Sequence, residues 1–262
     1  MRVTACSLAL VTTGAFAADT YPRLGTYSIG GPQDYYTSAY QKQLATVQVA
    51  VISYYPGWGS GAGTTMNETV QKLKALNPST KVFLYENPET QKIPMNSTFS
   101  DVYTKVQNEQ WWLTTSGTSG SKVLSDYGNG FYVLNTTAGA RKDSSGKTFI
   151  QWYAGWLQQK YLAPNSAIDG LFNDNIFYKP RRDGDWDLNG TTDSQNDSTT
   201  QVRFRQGYAQ LADLLRASSG KLQIANIADW GLSSANINEY IGKFNGGVWE
   251  HMVGRTYSVY QP

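Results

Sequence analysis

Two short stretches of this chain end in carboxylates placed where they could work as a pair. The first is Ala167-Ile168-Asp169-Gly170-Leu171-Phe172-Asn173-Asp174-Asn175, an apolar segment opened by an Asp-Gly turn and closed by Asp174. The second is Gly246-Gly247-Val248-Trp249-Glu250. Paired carboxylates suit glycoside hydrolysis: one protonates the departing oxygen while the other attacks the sugar or activates water. Asp174 is assigned as nucleophile or base and Glu250 as acid, with the reverse assignment open. The plainer alternative is that both are solvated loop-edge carboxylates. Competing chemistries are poorly supplied. His251 is the only histidine, which excludes a zinc site of several histidines and two-histidine phosphodiester chemistry. A Ser-His-Asp triad would need His251, and no G-x-S-x-G elbow is present. Without G-x-G-x-x-G or a P-loop, no nucleotide cofactor is expected; the reading requires none.

The elements that must position these residues alternate along the chain. Strands are expected at 24–29, 47–54, 81–86, from Asp169 onward, 222–226 and 246–250. Helices are expected at 35–45, 67–76, 100–113, 148–162, 200–217 and 233–244. Residues 131–135 read as an arm of a long loop rather than a strand. Such alternation without a composition break predicts one α/β domain with a mostly parallel sheet, of the (β/α)₈ TIM type. Six strand–helix units are counted where a closed barrel needs eight. The sequence is then truncated at its C-terminus, the sheet is open, or 131–135 is a strand; truncation is the reading adopted. Residues of one parity on a strand share a face. Gly170, Phe172 and Asp174 form one such set, as do Gly246, Val248 and Glu250. Val82, Leu84 and Glu86, then Leu222, Ile224 and Asn226, then Ala50, Ile52 and Tyr54 form three more. Each is largely apolar until a polar last member, which predicts five strand ends converging on one polar mouth, as a filled barrel requires. Glu86 would contact substrate there or orient a catalyst.

The chain is lightly charged, with a formal net charge of +2, too weak to argue for nucleic acid or an anionic membrane. It is rich in aromatics, with 18 Tyr, 8 Trp and 9 Phe, which suits stacking on the apolar faces of sugars as well as plain core filling. Tyr54, Tyr55, Trp58, Tyr85, Trp186, Trp230 and Trp249 are candidate sugar platforms, with Asn175, Asn226 and His251 as further contacts. The expected partner is a polysaccharide or oligosaccharide. Residues 1–17 read as a secretory signal: Arg2, an apolar run, and Ala15-Phe16-Ala17 at the cleavage site. This segment is too short and too interrupted by Thr to span a membrane. The remainder, 18–262, is one glycoside hydrolase-like domain of a secreted protein, extracellular or periplasmic. Cys6, the only cysteine, falls within the segment removed, leaving no disulfide and no thiolate ligand.

The loop Asp183-Gly184-Asp185-Trp186-Asp187-Leu188-Asn189-Gly190 has oxygen side chains at alternate positions and Gly at the sixth place from Asp185, like an EF-hand loop. The twelfth place is Asn196 rather than Glu. A structural calcium on Asp183, Asp185, Asp187 and Asn189 is the expectation; an ordinary polar turn is the alternative.

Asp-Gly-Leu-Phe-Asn-Asp-Asn at 169–175, Asp-Gly-Asp-Trp-Asp at 183–187 and Gly-Gly-Val-Trp-Glu-His at 246–251 together resemble the hypothetical glycosyl hydrolase family 15. That group is distinct from the glucoamylases and distantly similar to polygalactosaminidase-like barrels. The resemblance runs from about Tyr21 to the end. It implies a TIM-type barrel, a catalytic role for Asp174 and an acidic partner in Glu250. Two departures stand out: Asn173 takes a place where an apolar residue is usual, and the last units of the barrel are missing. The competing expectation is a non-catalytic carbohydrate-binding protein on a degenerate or truncated barrel.

Overall fold

Short runs of β-branched and apolar residues form the strands, and capped amphipathic segments form the helices between them. The computed structural model describes residues 24–28, 35–53, 65–92, 100–227 and 237–248. The expected signal segment, Tyr54, Tyr55, Trp58, Trp230, Trp249, Glu250 and His251 lie outside these ranges. In chain order the elements are β1 (Gly25–Ser28), α1 (Ser38–Leu44), β2 (Val49–Ile52), α2 (Met66–Leu76), β3 (Lys81–Glu86), β4 (Thr90–Lys92) and α3 (Ser100–Glu109). They continue with β5 (Phe131–Val133), α4 (Phe149–Leu157), β6 (Gly170–Asn173), α5 (Ser198–Ser219), β7 (Leu222–Asn226) and β8 (Gly246–Val248). Local signals fix several boundaries. Thr65 and Glu68 form a reciprocal capping box on α2. Asp197 caps α5 through the Thr200 N–H, and Gly220 ends it in the left-handed conformation.

Six strands form one parallel sheet in the order β1-β2-β3-β6-β7-β8, so sheet order follows chain order. The sheet is curled into half a barrel. The described residues do not close an eight-stranded barrel; β1 and β8 stand at the two edges of the described sheet. β4 and β5 pair antiparallel with each other, apart from the parallel sheet; Phe131–Val133 is therefore a short strand where a loop arm was expected, though it adds no unit to the parallel sheet. β6 is buried at every residue, as a central parallel strand must be. Its first residue has to be glycine, because a Cβ on Gly170 would lie 1.9 Å from the Leu222 carbonyl oxygen.

The two faces of the sheet carry different cores. The outer face, with Ile52, Val82, Leu84 and Leu171, packs into a large cluster with residues of α2 and α4, including Leu73 and Tyr153. The inner face carries Val51, Phe83 and Phe172, with Val49, Tyr85 and Ile224 against them. Three helix expectations change in extent. α3 stops at Glu109 because Gln110 turns to φ 55°, which releases Trp111, Trp112 and Leu113 into a buried extended arm. α4 widens into a π turn over Gln158–Leu162. Of the helix expected at 233–244, the described part is one 3₁₀ turn, Asn238–Tyr240, followed by Gly242 at φ 71°.

Register also corrects the expectation of five converging strand ends. Tyr85 pairs with Phe172, and Glu86 with Asn173. The set Val82, Leu84 and Glu86 therefore faces the helices with Leu171, as do Ala50 and Ile52. Phe172 and Ile224 are level with each other on the inner face. Alternation within a strand is readable from sequence, but which parity points inward depends on pairing, and in β2 and β3 both parities are apolar.

Candidate active site

Asp174 leaves the carboxyl end of β6, where its N–H extends the ladder to the Glu86 carbonyl at 2.9 Å. Its side chain is 9 % exposed. Tyr85, from the strand on one side, donates its hydroxyl to Oδ2 at 2.6 Å. Asn226, from the strand on the other, donates Nδ2 to Oδ1 at 2.9 Å. Both donors are neutral, and among the described residues Asp174 has no salt bridge. Burial and then the Asp174 charge push the Tyr85 hydroxyl far above its ordinary range, which keeps it a donor. The ring of Tyr85 stacks on Phe172 at 6.1 Å, so the inner-face aromatics hold the hydroxyl in place.

Glu86 lies on the other side of the sheet. It is 2 % exposed and neither carboxyl oxygen reaches a partner in good hydrogen-bond geometry. Burial raises its pKa well above the ordinary 4.5; the Tyr153 hydroxyl from α4 pulls back, and the charge on Asp174 adds to the rise. Glu86 is therefore a buried carboxyl behind the strand ends, biased toward its protonated form, not a group lining the inner mouth. Asn173, its register partner, donates Nδ2 to the Ile224 carbonyl at 3.0 Å, which accounts for a polar residue at that apolar-looking position.

A second layer had no signal in the sequence. Glu89, three residues beyond the β3 terminus, is 3 % exposed and bound by Arg181 in a fork, Nε to Oε1 at 3.1 Å and Nη2 to Oε2 at 2.7 Å. Arg181 also reaches Asp126 at 2.9 Å. Its guanidinium lies 4.5 Å from the ring centre of Tyr127 and 4.6 Å from that of Phe177. The Tyr127 hydroxyl donates to Asn175 Oδ1 at 2.9 Å. Asn175 sits at φ 59°, a left-handed turn that Asn tolerates better than most residues, and its Nδ2 is buried without a partner. Burial pushes the Glu89 carboxyl up, the Arg181 pairing opposes this, and Asp126 and Asp174 add repulsion. No periodic pattern links these residues; they meet only because two loops are folded over one strand end.

The structure thus joins Tyr85 and Asn226 directly to Asp174 and places Asn175 beside it in the chain. Trp186 is corrected: it is 1 % exposed, packed edge-on to Phe204 at 5.7 Å, with Nε1 on the Arg182 carbonyl. It is core, not a sugar platform. In the acidic loop, carboxylate oxygens of Asp185, Asp187 and Asp193 lie within 4.8 Å of one another. Asp183 accepts the Gln195 N–H at 2.7 Å, and Asn189 Oδ1 accepts the Thr191 N–H at 2.8 Å. Asp193, outside the expected set, joins Asp185 and Asp187 because the chain doubles back, with Gly184 bridged to Asp193. Burial, with the charges of Asp187 and Asp185, raises the Asp193 pKa.

A half-barrel of parallel strands with a buried, neutrally bonded carboxylate at a strand's carboxyl end is the class of site this chain defines. No family model matches the chain, and no curated protein does either. Solved structures do. A cycloalternan-degrading enzyme from Trueperella pyogenes in complex with isomaltose matches with a TM-score of 0.50 at 16 % identity, over 76 % of this chain and 31 % of that one. A Kfla1895 mutant in complex with isomaltose matches with a TM-score of 0.50 at 15 % identity, over 78 % and 31 %. The chain therefore spans about a third of the length of these two solved proteins. At this identity the likeness is one of fold. Among the described residues no helix is long and apolar enough to cross a membrane.

Proposed function

We propose that this protein is a secreted glycoside hydrolase acting on an extracellular or cell-envelope glycan through Asp174 and Glu250. The observation that carries the reading is Asp174 itself. It is a strand-end carboxylate on the inner-face side, shielded from water and held by two neutral donors from the flanking strands. A carboxylate paired with a cation is a weaker nucleophile or base; Asp174 is held instead by a hydroxyl and an amide, which fix its aim. Glu250 follows Val248, the last described residue of β8, whose register partner Asn226 donates to Asp174. The structural neighbours bound to isomaltose support a sugar as ligand. A calcium ion held by Asp185, Asp187 and Asp193 belongs to the same proposal; it would pin the loop that carries Trp186 into the core.

The test is reducing-end release from a panel of α- and β-linked polysaccharides, isomaltose included, by the parent and by Asp174→Asn and Glu250→Gln, with folding checked by circular dichroism. Loss of activity in both folded variants supports the pair. Unchanged activity in either removes that residue. Binding of a panel glycan by a folded parent that releases no reducing ends would make the protein a carbohydrate-binding one.

A further inference from the structure

Tyr127 lies on no element and in no motif, yet it is 44 % exposed, whereas Phe172, on the strand that carries Asp174, is 1 % exposed. Exposed tyrosines are ordinarily free to change rotamer. This one is fixed at two points. Its hydroxyl is bonded to Asn175, the residue after Asp174. Its ring meets the Arg181 guanidinium at 4.5 Å. That guanidinium is in turn immobilised by the fork to Glu89, the ion pair with Asp126 and the ring of Phe177. Asn175 and Arg181 thus hold one half-exposed ring, Arg181 being fixed in turn by Glu89, Asp126 and Phe177, and the ring's hydroxyl meets the residue that follows the candidate nucleophile. Holding a ring in advance removes the ordering cost that a flexible contact would meet on binding. A flat, apolar surface of fixed orientation beside a polar cluster is what the axial C–H face of a pyranose requires.

We infer that Tyr127 is a sugar-stacking platform of the site around Asp174, that its ligand is a pyranose unit of the glycan chain, and that Arg181 is its positioning residue. The inference rests on the glycoside hydrolase reading and adds to it a subsite. Tyr127 contributes its ring face, and the hydroxyl serves only to orient Asn175. Arg181 acts through Tyr127 and touches no sugar.

The experiment is calorimetric titration of isomaltose, cellotriose and N-acetylchitotriose into Asp174→Asn, which leaves the sugar intact, with and without a second substitution at Tyr127. Tyr127→Ala removes the ring, Tyr127→Leu keeps apolar bulk without a flat face, Tyr127→Phe keeps the ring without the hydroxyl, and Tyr127→Trp enlarges it. The expected result is a Kd raised about tenfold or more by Ala and Leu and held within about threefold by Phe and Trp. Arg181→Lys keeps the charge but not the fork, and should raise Kd as well while leaving the circular dichroism spectrum unchanged. Equal losses in Phe and Ala would overturn the platform, since the hydroxyl would then be the active part. Parent-like binding by folded Ala or Leu variants would overturn the subsite alone. Absence of binding to all three sugars in Asp174→Asn and in the parent would overturn the hydrolase reading together with the subsite.

Discussion

Asp169 and Asp174 stand at opposite ends of the same strand and are treated oppositely. At the amino end, Asp169 is surrounded by cations and donors. Lys74 forms an ion pair with it, Lys81 another at 3.0 Å, and the Val82 N–H bonds to it at 2.8 Å. Burial alone would raise its pKa, but these partners win and lower it. At the carboxyl end, Asp174 has only a hydroxyl and an amide. One aspartate ties α2 and β3 to β6; the other is kept unpaired with any described cation. Barrel-like folds separate stability and chemistry between the two ends of their strands, and here the separation shows in the type of partner rather than in burial alone.

The comparison breaks most visibly at Asp174. Asp174→Asn keeps the shape and one acceptor oxygen, so melting temperature should move little. Glycan cleavage should fall about 10²–10⁴-fold, the scale for removing a positioned acid–base group. Equal loss of stability and activity would show that Asp174 is structural, like Asp169. Tyr85→Phe removes the shorter of its two hydrogen bonds and should reduce kcat more than KM, because it alters the aim of the carboxylate and not the sugar contacts.

Much of the frame was legible beforehand, for reasons visible in particular residues. β3 was bounded correctly because its apolar run is stopped by Asn87-Pro88, whereas the strand Phe131–Val133 was not legible, because its partner Thr90–Lys92 is short and polar. Asp174 was legible from strand-end position and chain context. Glu86 was not, since Val82 and Leu84 could serve either face and only pairing with Asn173 decides. Trp186 misled because its acidic loop looks solvent-facing, while the fold buries the ring against Phe204. The Glu89–Arg181–Tyr127 assembly joins residues far apart in sequence, and no local pattern encodes it.

Glu86 sharpens the comparison from the other side of the sheet. A carboxyl with a folded pKa above its unfolded value contributes stability fully below the unfolded value, near the ordinary 4.5. That contribution is lost as pH rises toward the folded pKa, at about 1.4 kcal/mol per pH unit for one proton. Glu86→Gln carries no proton to lose. Its unfolding free energy should therefore fall less steeply than the parent's as pH rises above the ordinary 4.5, with the variant relatively more stable at the alkaline end. Parallel denaturant-derived curves for the two proteins would show that Glu86 is ionised in the fold and that its burial is compensated.

Asp169 gives the smallest effect and the opposite sign. Its pKa is lowered, so its contribution is present above the unfolded value, near 3.8, and lost as pH falls through the folded one. Asp169→Asn should cost about 1.5–3 kcal/mol near neutral pH, the range for hydrogen bonds to a charged group. The lower end is favoured because Lys81 is 53 % exposed and water screens that pair. The difference between parent and variant should shrink toward pH 3, and activity per folded molecule should stay at the parent level. Added salt discriminates the two lysines. It should weaken the contribution of Lys81 and spare that of Lys74, whose side chain is 22 % exposed and also bonds the Thr80 carbonyl. If Asp169→Asn lowered kcat without changing stability, the two ends of β6 would be coupled through the strand, and the division between a cation-paired structural end and a neutrally held chemical end would fail.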